Sequence, residues 1–305
     1  MANRIPLEIS FMSLSWRGLG RLLLPITVLA AAAPTPLSAT WSIVAIDART
    51  GRIVVSSATC VAQASLERFP AEGLMDIQAV LVPGVGAAVA QARLDRSRRN
   101  QALIQRELAK GTAPERILVL LKQDPSMEAR QFGIVDLRGR AAGFSGTANG
   151  RFAVNRSGRV PGTDIYFAIQ GNILASREVI EDAVRALAAA DGALEDRVMY
   201  AMEAADAAGG DRRCSCRTRP PSAAPCTSRH SLVAYLLASG PGGGPRTASD
   251  DGDSRLYIDV TDENIRQDED ANPVVTLRRR YDALRASAQT ASASPPSAVP
   301  PPQTR

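Results

Sequence analysis

Between Thr40 and Ala58 the chain reads TWSIVAIDARTGRIVVSSA, two short runs rich in Ile and Val on either side of Arg49, Thr50 and Gly51. β-Branched apolar runs flanking a glycine-containing turn predict an antiparallel hairpin. The stronger constraint is that the apolar residues sit at nearly consecutive positions instead of alternating. A strand that is apolar on both faces needs cover on both faces, so this hairpin has to lie between two further layers.

The rest of the chain supplies material for those layers. A second strand pair is expected from Ile77 to Gln91, interrupted at Pro83-Gly84, and a third from Gln131 to Ser145, bending at Arg138-Gly139. Further strands are expected at Ile165–Gln170, near Leu232–Leu237 and at Arg255–Val260. A charged amphipathic helix is predicted from Leu94 to Lys110, with Leu94, Ala102, Leu103 and Leu108 inward, ending at Gly111. Thr112-Ala113-Pro114-Glu115 reads as a capping box opening a helix through Lys122, with Ile117, Leu118, Leu120 and Leu121 inward. Ser176–Ala190 and Ala193–Ala208 form a helical pair broken at Asp191-Gly192 and stopped by Gly209-Gly210. Strand pairs bracketed by helix pairs predict an α+β domain over residues 40–262, a four-layer αββα sandwich with two stacked sheets inside. Beyond it, Pro273 to Arg285 is expected as a short helix carrying Val275, Leu277, Tyr281 and Leu284 inward, and ASAQTASASPPSAVPPPQTR as a disordered tail.

The beginning of the chain reads differently. Arg17 and Arg21 precede the apolar run LLLPITVLAAAA at residues 22–33, which is followed by a polar, proline-containing stretch ending Leu37-Ser38-Ala39. That order describes a signal peptide over residues 1–39, cut after Ala39, with either Met1 or Met12 as the start. Twelve apolar residues fall short of the about 20 that span a bilayer, so stable membrane insertion after processing is not expected. The expected location is extracytoplasmic, periplasmic or secreted; an uncleaved anchor is the alternative.

The formal charge of +5 comes from arginine, since the only lysines are Lys110 and Lys122. These arginines alternate with Asp and Glu along the predicted helices, with no interleaved aromatic residues, which describes a solvated surface and not a nucleic-acid interface. The four cysteines are Cys60, Cys214, Cys216 and Cys226. An even number in an exported chain predicts disulfides. Cys214 and Cys216 are too close to pair easily with each other, so one is expected to join Cys226 and the other Cys60. Zinc bound by Cys214, Cys216, Cys226 and His230 is the alternative, disfavoured by compartment and irregular spacing; no metal or cofactor is expected.

Cleavage after Ala39 would give Thr40 a free α-amine at the start of a buried strand. A threonine hydroxyl can attack a carbonyl while its own amine, with an ordinary pKa of about 7.7–8.0, takes the proton. That chemistry needs no histidine, and the chain has one, His230. The plainer reading is that Thr40 merely begins a strand.

The ordered stretches TWSIVAID from Thr40, DPSMEARQFGIVDLRGRAAGFSG from Asp124, QGNIL from Gln170 and GGDRR from Gly209 resemble the motifs of the family called domain of unknown function 1028, over roughly residues 40–240. That family is grouped with the N-terminal nucleophile hydrolases, and the resemblance implies their αββα sandwich and a nucleophile at Thr40, without a substrate. The continuation Cys214-Ser215-Cys216 after GGDRR departs from many members and resembles an exported branch. An acyl-transfer site also needs donors to a developing oxyanion: Asn172, Gln91 or the backbone amides of Gly209-Gly210 are the candidates. Asp211 would orient the Thr40 amine or an arginine. For Asn172 and Asp211 the competing role is capping turns; for Ser42 and Ser56 it is that of strand hydroxyls. The expected function is an extracytoplasmic amidohydrolase acting on a small amide-containing or peptide substrate, with homo-oligomerisation left open. The rival is a non-catalytic binding or assembly module on the same fold.

Overall fold

The computed structural model describes residues 40–69, 73–217, 224–240 and 255–293. The expected signal peptide with its cleavage point and the last residues of the expected tail, 294–305, lie outside the described residues.

The described chain is a mixed α+β fold with antiparallel sheets. Its elements are β1 (Thr40–Asp47), β2 (Arg52–Thr59), α1 (Gln63–Leu66), α2 (Leu74–Gln78), β3 (Ala79–Val82), β4 (Gly86–Ala92), α3 (Arg99–Ala109), α4 (Pro114–Leu121), β5 (Arg130–Asp136) and β6 (Arg140–Ser145). These are followed by β7 (Val154–Arg159), β8 (Ile165–Asn172), α5 (Glu178–Ala189), α6 (Leu194–Ala207), β9 (Val233–Ser239), β10 (Arg255–Val260) and α7 (Pro273–Ala293). One sheet has six strands in the order β10-β9-β2-β1-β8-β7, and the other four in the order β3-β4-β5-β6. No described helix is long and apolar enough to cross a membrane.

The two-faced hairpin explains the stacking. Trp41, Ile43 and Ala45 of β1 share one apolar cluster with Val179, Ile180 and Leu187 of α5, Val198 and Met202 of α6, and Leu277 and Tyr281 of α7. The intervening residues Val44 and Ile46 point the other way, into a cluster with Leu81, Val89 and Val135 of the four-stranded sheet. The far face of that sheet carries Ala88, Phe132 and Ile134 against Ile104 and Leu108 of α3 and Ile117 and Leu121 of α4. Each fully buried large side chain contributes about 1.5–3 kcal/mol of hydrophobic transfer, so the hairpin is held mainly by what covers it.

Several local expectations are corrected. Ile77 lies in α2 and not in a strand. The helix expected from Leu94 begins at Arg99, because the Asp95 carboxylate accepts bonds from the Ser97 N–H (3.0 Å) and the Asn100 N–H (3.1 Å) and closes a turn ahead of it. Its buried face is Asn100, Ile104 and Leu108, while Ala102 is exposed. The capping box at Thr112 does not form: Ala113 is the N-cap, and the Thr112 hydroxyl donates to Glu107 Oε2 at 3.0 Å. Of the inner face expected for that helix, Ile117 and Leu121 are buried but Leu118 and Leu120 only half-buried. β7 was not expected at all.

The C-terminal helix runs for 21 residues and takes in Ala286–Ala293, the first part of the expected tail. Val274, Thr276, Leu277 and Tyr281 are among its buried residues, whereas Val275 is half-buried and Leu284 is 48% exposed. Arg278 pairs with Glu203 of α6 at 2.7 Å, the Tyr281 hydroxyl donates to Asp196 at 3.0 Å, and Arg280 Nη1 donates to the Asp259 carbonyl of β10 at 2.7 Å. The helix is therefore docked on α6 and β10.

Candidate active site

Even-numbered residues of the first half of β1 form a polar continuation of the face between the sheets. The antiparallel register sets Thr40 opposite Thr59 of β2 on one side and Asn172 of β8 on the other. Directly opposed residues in such a ladder share a face with Cβ atoms about 4.5–5.5 Å apart. Thr59, Thr40 and Asn172 thus form a row across three strands, each at most 1% exposed. The Thr40 hydroxyl donates to Thr59 Oγ1 at 3.1 Å.

Two carboxamides of the other sheet close over this row. Gln91, at the end of β4, donates from Nε2 to the Thr40 carbonyl at 3.2 Å and to Gln131 Oε1 at 3.0 Å. Gln131, on β5, donates onward to the Gly171 carbonyl and to Ser145 Oγ, both at 2.8 Å. This relay ties the start of β1 and the end of β8 to the second sheet. One strand step deeper, Gln170 Nε2 donates to Ser42 Oγ at 2.9 Å. Ser56 faces the helices instead and donates to the Tyr235 carbonyl at 2.7 Å, a strand hydroxyl and no part of the layer.

Asn172 is the anomaly. It is fully buried, yet neither its Oδ1 nor its Nδ2 has a hydrogen-bond partner, and Gln91 Oε1 is likewise unpartnered. Leaving a buried polar group unsatisfied costs about 1–3 kcal/mol. The backbone beside both residues is also strained. Ala92, immediately after Gln91, has φ +73°, and Ile173, immediately after Asn172, has φ +53°. A β-branched residue in the left-handed region is a genuine outlier costing on the order of 1–3 kcal/mol, and such strain gathers at functional sites.

Other candidates sit elsewhere or are already committed. Asp211 is fully buried and accepts from the Cys60 N–H at 3.0 Å, the Arg213 N–H at 3.0 Å, and Arg213 Nε and Nη2 at 3.1 and 2.8 Å. It orients an arginine. The amides of Gly209 and Gly210 close the end of α6, donating to the Asp206 and Ala205 carbonyls at 2.9 and 3.1 Å, so as placed they are spent. Cys60 pairs with Cys214 and Cys216 with Cys226, settling which cysteine reaches β2 and taking up the thiols of the zinc alternative. Two disulfides accord with an oxidising, extracytoplasmic compartment. His230 binds Asp206 through Nδ1 at 3.3 Å, and this bond raises its pKa against the lowering effect of burial.

The arginine-rich segment is largely surface, with Arg93, Arg96, Arg99 and Arg106 exposed. It borders a cavity of about 630 Å³ lined in part by Asn100, Leu103, Arg106, Asp124 and Arg130. Burial there favours the protonated Asp124 carboxyl, but bonds from Asn100, the Ser126 N–H and Arg130 outweigh it and hold the pKa below the ordinary value.

Sequence reasoning missed Thr59 and Gln131. Thr59 was within reach: a hairpin turning at residues 48–51 sets Asp47 opposite Arg52 and, counting back, Thr40 opposite Thr59. Gln131 carried no such local signal, because its contacts join separate sheets.

The model of a family of unknown function (DUF1028) matches residues 40–231. Among solved structures, that of protein SPO2555 from Silicibacter pomeroyi, also assigned to this family model, aligns with a TM-score of 0.58 at 22% identity, covering 81% of this chain and 86% of that one. At that identity the likeness is one of fold. No curated protein matches.

Proposed function

This chain belongs to the family of unknown function DUF1028, and on that premise, which supplies no activity, we propose that the exported protein is an amidohydrolase of the N-terminal nucleophile type, built on a four-layer αββα sandwich and cleaved after Ala39. The observation that carries the reading is the row Thr59–Thr40–Asn172: a hydroxyl at the first position of a central strand, buried beside a second hydroxyl and an unpaired carboxamide.

In the processed chain the Thr40 hydroxyl oxygen adds to the carbonyl carbon of an amide and passes its proton to its own α-amine. Asn172 Nδ2 donates to the developing oxyanion, a contribution worth about 2.7–4 kcal/mol where one such donor has been removed from a hydrolase. As the C–N bond breaks, the ammonium returns its proton to the departing nitrogen, leaving an ester on Thr40. Water, deprotonated by the same amine, attacks that ester and releases a carboxylic acid and free Thr40. Thr59 holds the hydroxyl, and the Gln91–Gln131 relay holds the Thr40 carbonyl.

The test uses a β-lactone, whose ring opens on a nucleophilic hydroxyl without loss of atoms. Exported protein gains the mass of one lactone on the peptide beginning at Thr40, and the Thr40→Ala variant gains none. Equal labelling of both, or no labelling of either, favours the non-catalytic module.

A further inference from the structure

We propose that Asn172 is the specificity-determining residue of this site and that it reads an uncharged amide whose C=O and N–H lie on the same edge, as in a primary carboxamide, in preference to an ester or a carboxylate. The proposal deepens the reading of Thr40 as a nucleophile and rests on it for the identity of the reacting carbonyl. It starts from the fact that both ends of the Asn172 carboxamide lack a partner in a fully buried position. A single oxyanion donor would explain Nδ2 alone. An unpaired donor and an unpaired acceptor on one planar group match a ligand that offers an acceptor and a donor on the same edge, which a primary carboxamide presents and a trans secondary amide, with its C=O and N–H pointing opposite ways, does not.

The surroundings point the same way. The side chains sharing the layer with Asn172, among them Ser42, Thr59, Gln91 and Gln131, are all neutral and at most 2% exposed. The buried carboxylate of Asp211 is already engaged by Arg213. A carboxylate would set a second acceptor against Asn172 Oδ1 and leave that buried oxygen without a donor. The left-handed Ile173 fixes the chain just past Asn172, so the carboxamide is held on a strained strand end and not on a free loop. An ester would satisfy Nδ2 and leave Oδ1 unpaired; sites built to bond an N–H reject analogues lacking it because a buried polar group is then orphaned.

The experiment uses exported protein labelled with ¹⁵N-asparagine, as the wild-type, Thr40→Ala and Asn172→Asp chains. The probes are acetamide, methyl acetate and acetate, and the reading is the side-chain amide signal of Asn172, identified by its loss in Asn172→Asp. Acetamide is expected to shift that signal saturably in both the wild-type and Thr40→Ala chains, at least tenfold more tightly than methyl acetate or acetate. Equal or tighter binding of methyl acetate or acetate, or an Asn172 signal that no probe moves, overturns the proposal. If Asn172→Asp fails to fold, Asn172→Gln, whose side chain takes no label from ¹⁵N-asparagine, identifies the signal instead. Selective amide binding without lactone labelling would retain Asn172 as the reader and remove Thr40 as the nucleophile, so the two failures are distinguishable.

Discussion

The two disulfides close loops of very different size, which makes their removal a quantitative test of how the site is anchored. Cys60–Cys214 spans 154 positions and joins the residue after Thr59 to the Asp211–Arg213 turn, whereas Cys216–Cys226 spans only 10. In the chain-entropy account, stabilisation grows with the logarithm of loop length, giving about 5 kcal/mol for the long loop and about 3 kcal/mol for the short one. Cys60 and Cys214 are 3% and 4% exposed, so alanine at both also removes buried sulfur atoms and adds a packing loss in the same direction, while the Cys60 N–H keeps its bond to Asp211. The assay is urea unfolding at equilibrium of the wild-type, Cys60→Ala/Cys214→Ala and Cys216→Ala/Cys226→Ala chains, with the slope fitted separately for each because uncrosslinked chains expose more surface. The long-loop variant is expected to lose about 2 kcal/mol more than the short-loop variant. Equal losses, or the reverse order, would refute the reasoning and mean that the link between β2 and the Asp211 turn is made by noncovalent contacts alone.

Three further outcomes are expected. A methyl group at Gly133 would lie 2.2 Å from Gln170 Oε1 and 3.0 Å from Ala168 Cβ, so Gly133→Ala displaces a buried glutamine bonded to Ser42 and costs about 1–3 kcal/mol; an unchanged melting temperature would contradict this. The Arg280 hydrogen bonds to Glu269 hold its carboxyl at about 2 against an ordinary 4.5. That depressed value means stability is present above 4.5 and lost as pH falls toward 2, so Glu269→Gln should cost on the order of 2 kcal/mol near neutrality and almost nothing in strong acid, as followed by calorimetry. His230 behaves oppositely: its pKa is raised above 6.5 by Asp206, so the contribution is complete below 6.5 and lost as pH rises through the higher folded value. His230→Gln should accordingly cost about 0.5–1 kcal/mol near pH 5 and less near pH 9 in urea titrations; a loss that grows with pH would be inconsistent with the ion pair.

What the sequence made legible, and what it hid, follows from the range of the interactions. The β1–β2 hairpin was readable because its turn and apolar runs are adjacent in the chain, and Arg255–Val260 because it is apolar and bounded. β7, VNRSGR, was not, since it is an edge strand with Arg156 and Ser157 exposed and no alternation of apolar residues. α3 was started too early because its register depends on the Asp95 turn, and the buried Ile104 was passed over for the exposed Ala102. The C-terminal helix was cut short because Ala286–Ala293 has no apolar stripe; alanine's helix propensity and the docked turn before it carry the helix onward. Within the site, Thr40, Gln91 and Asn172 could be named from strand ends, but their meeting could not. Their convergence depends on pairing β1 with β8 across more than a hundred residues and on stacking a second sheet over the first.

The most direct test of the central claim is the intact mass and N-terminal sequence of the protein recovered from the extracytoplasmic fraction of an expressing cell. The account predicts a chain beginning Thr40-Trp41-Ser42, with a free amine on the residue that lies between Thr59 and Asn172. A mature chain that begins elsewhere and is never trimmed to Thr40 would contradict it, because a threonine inside the chain has no amine to act as the base.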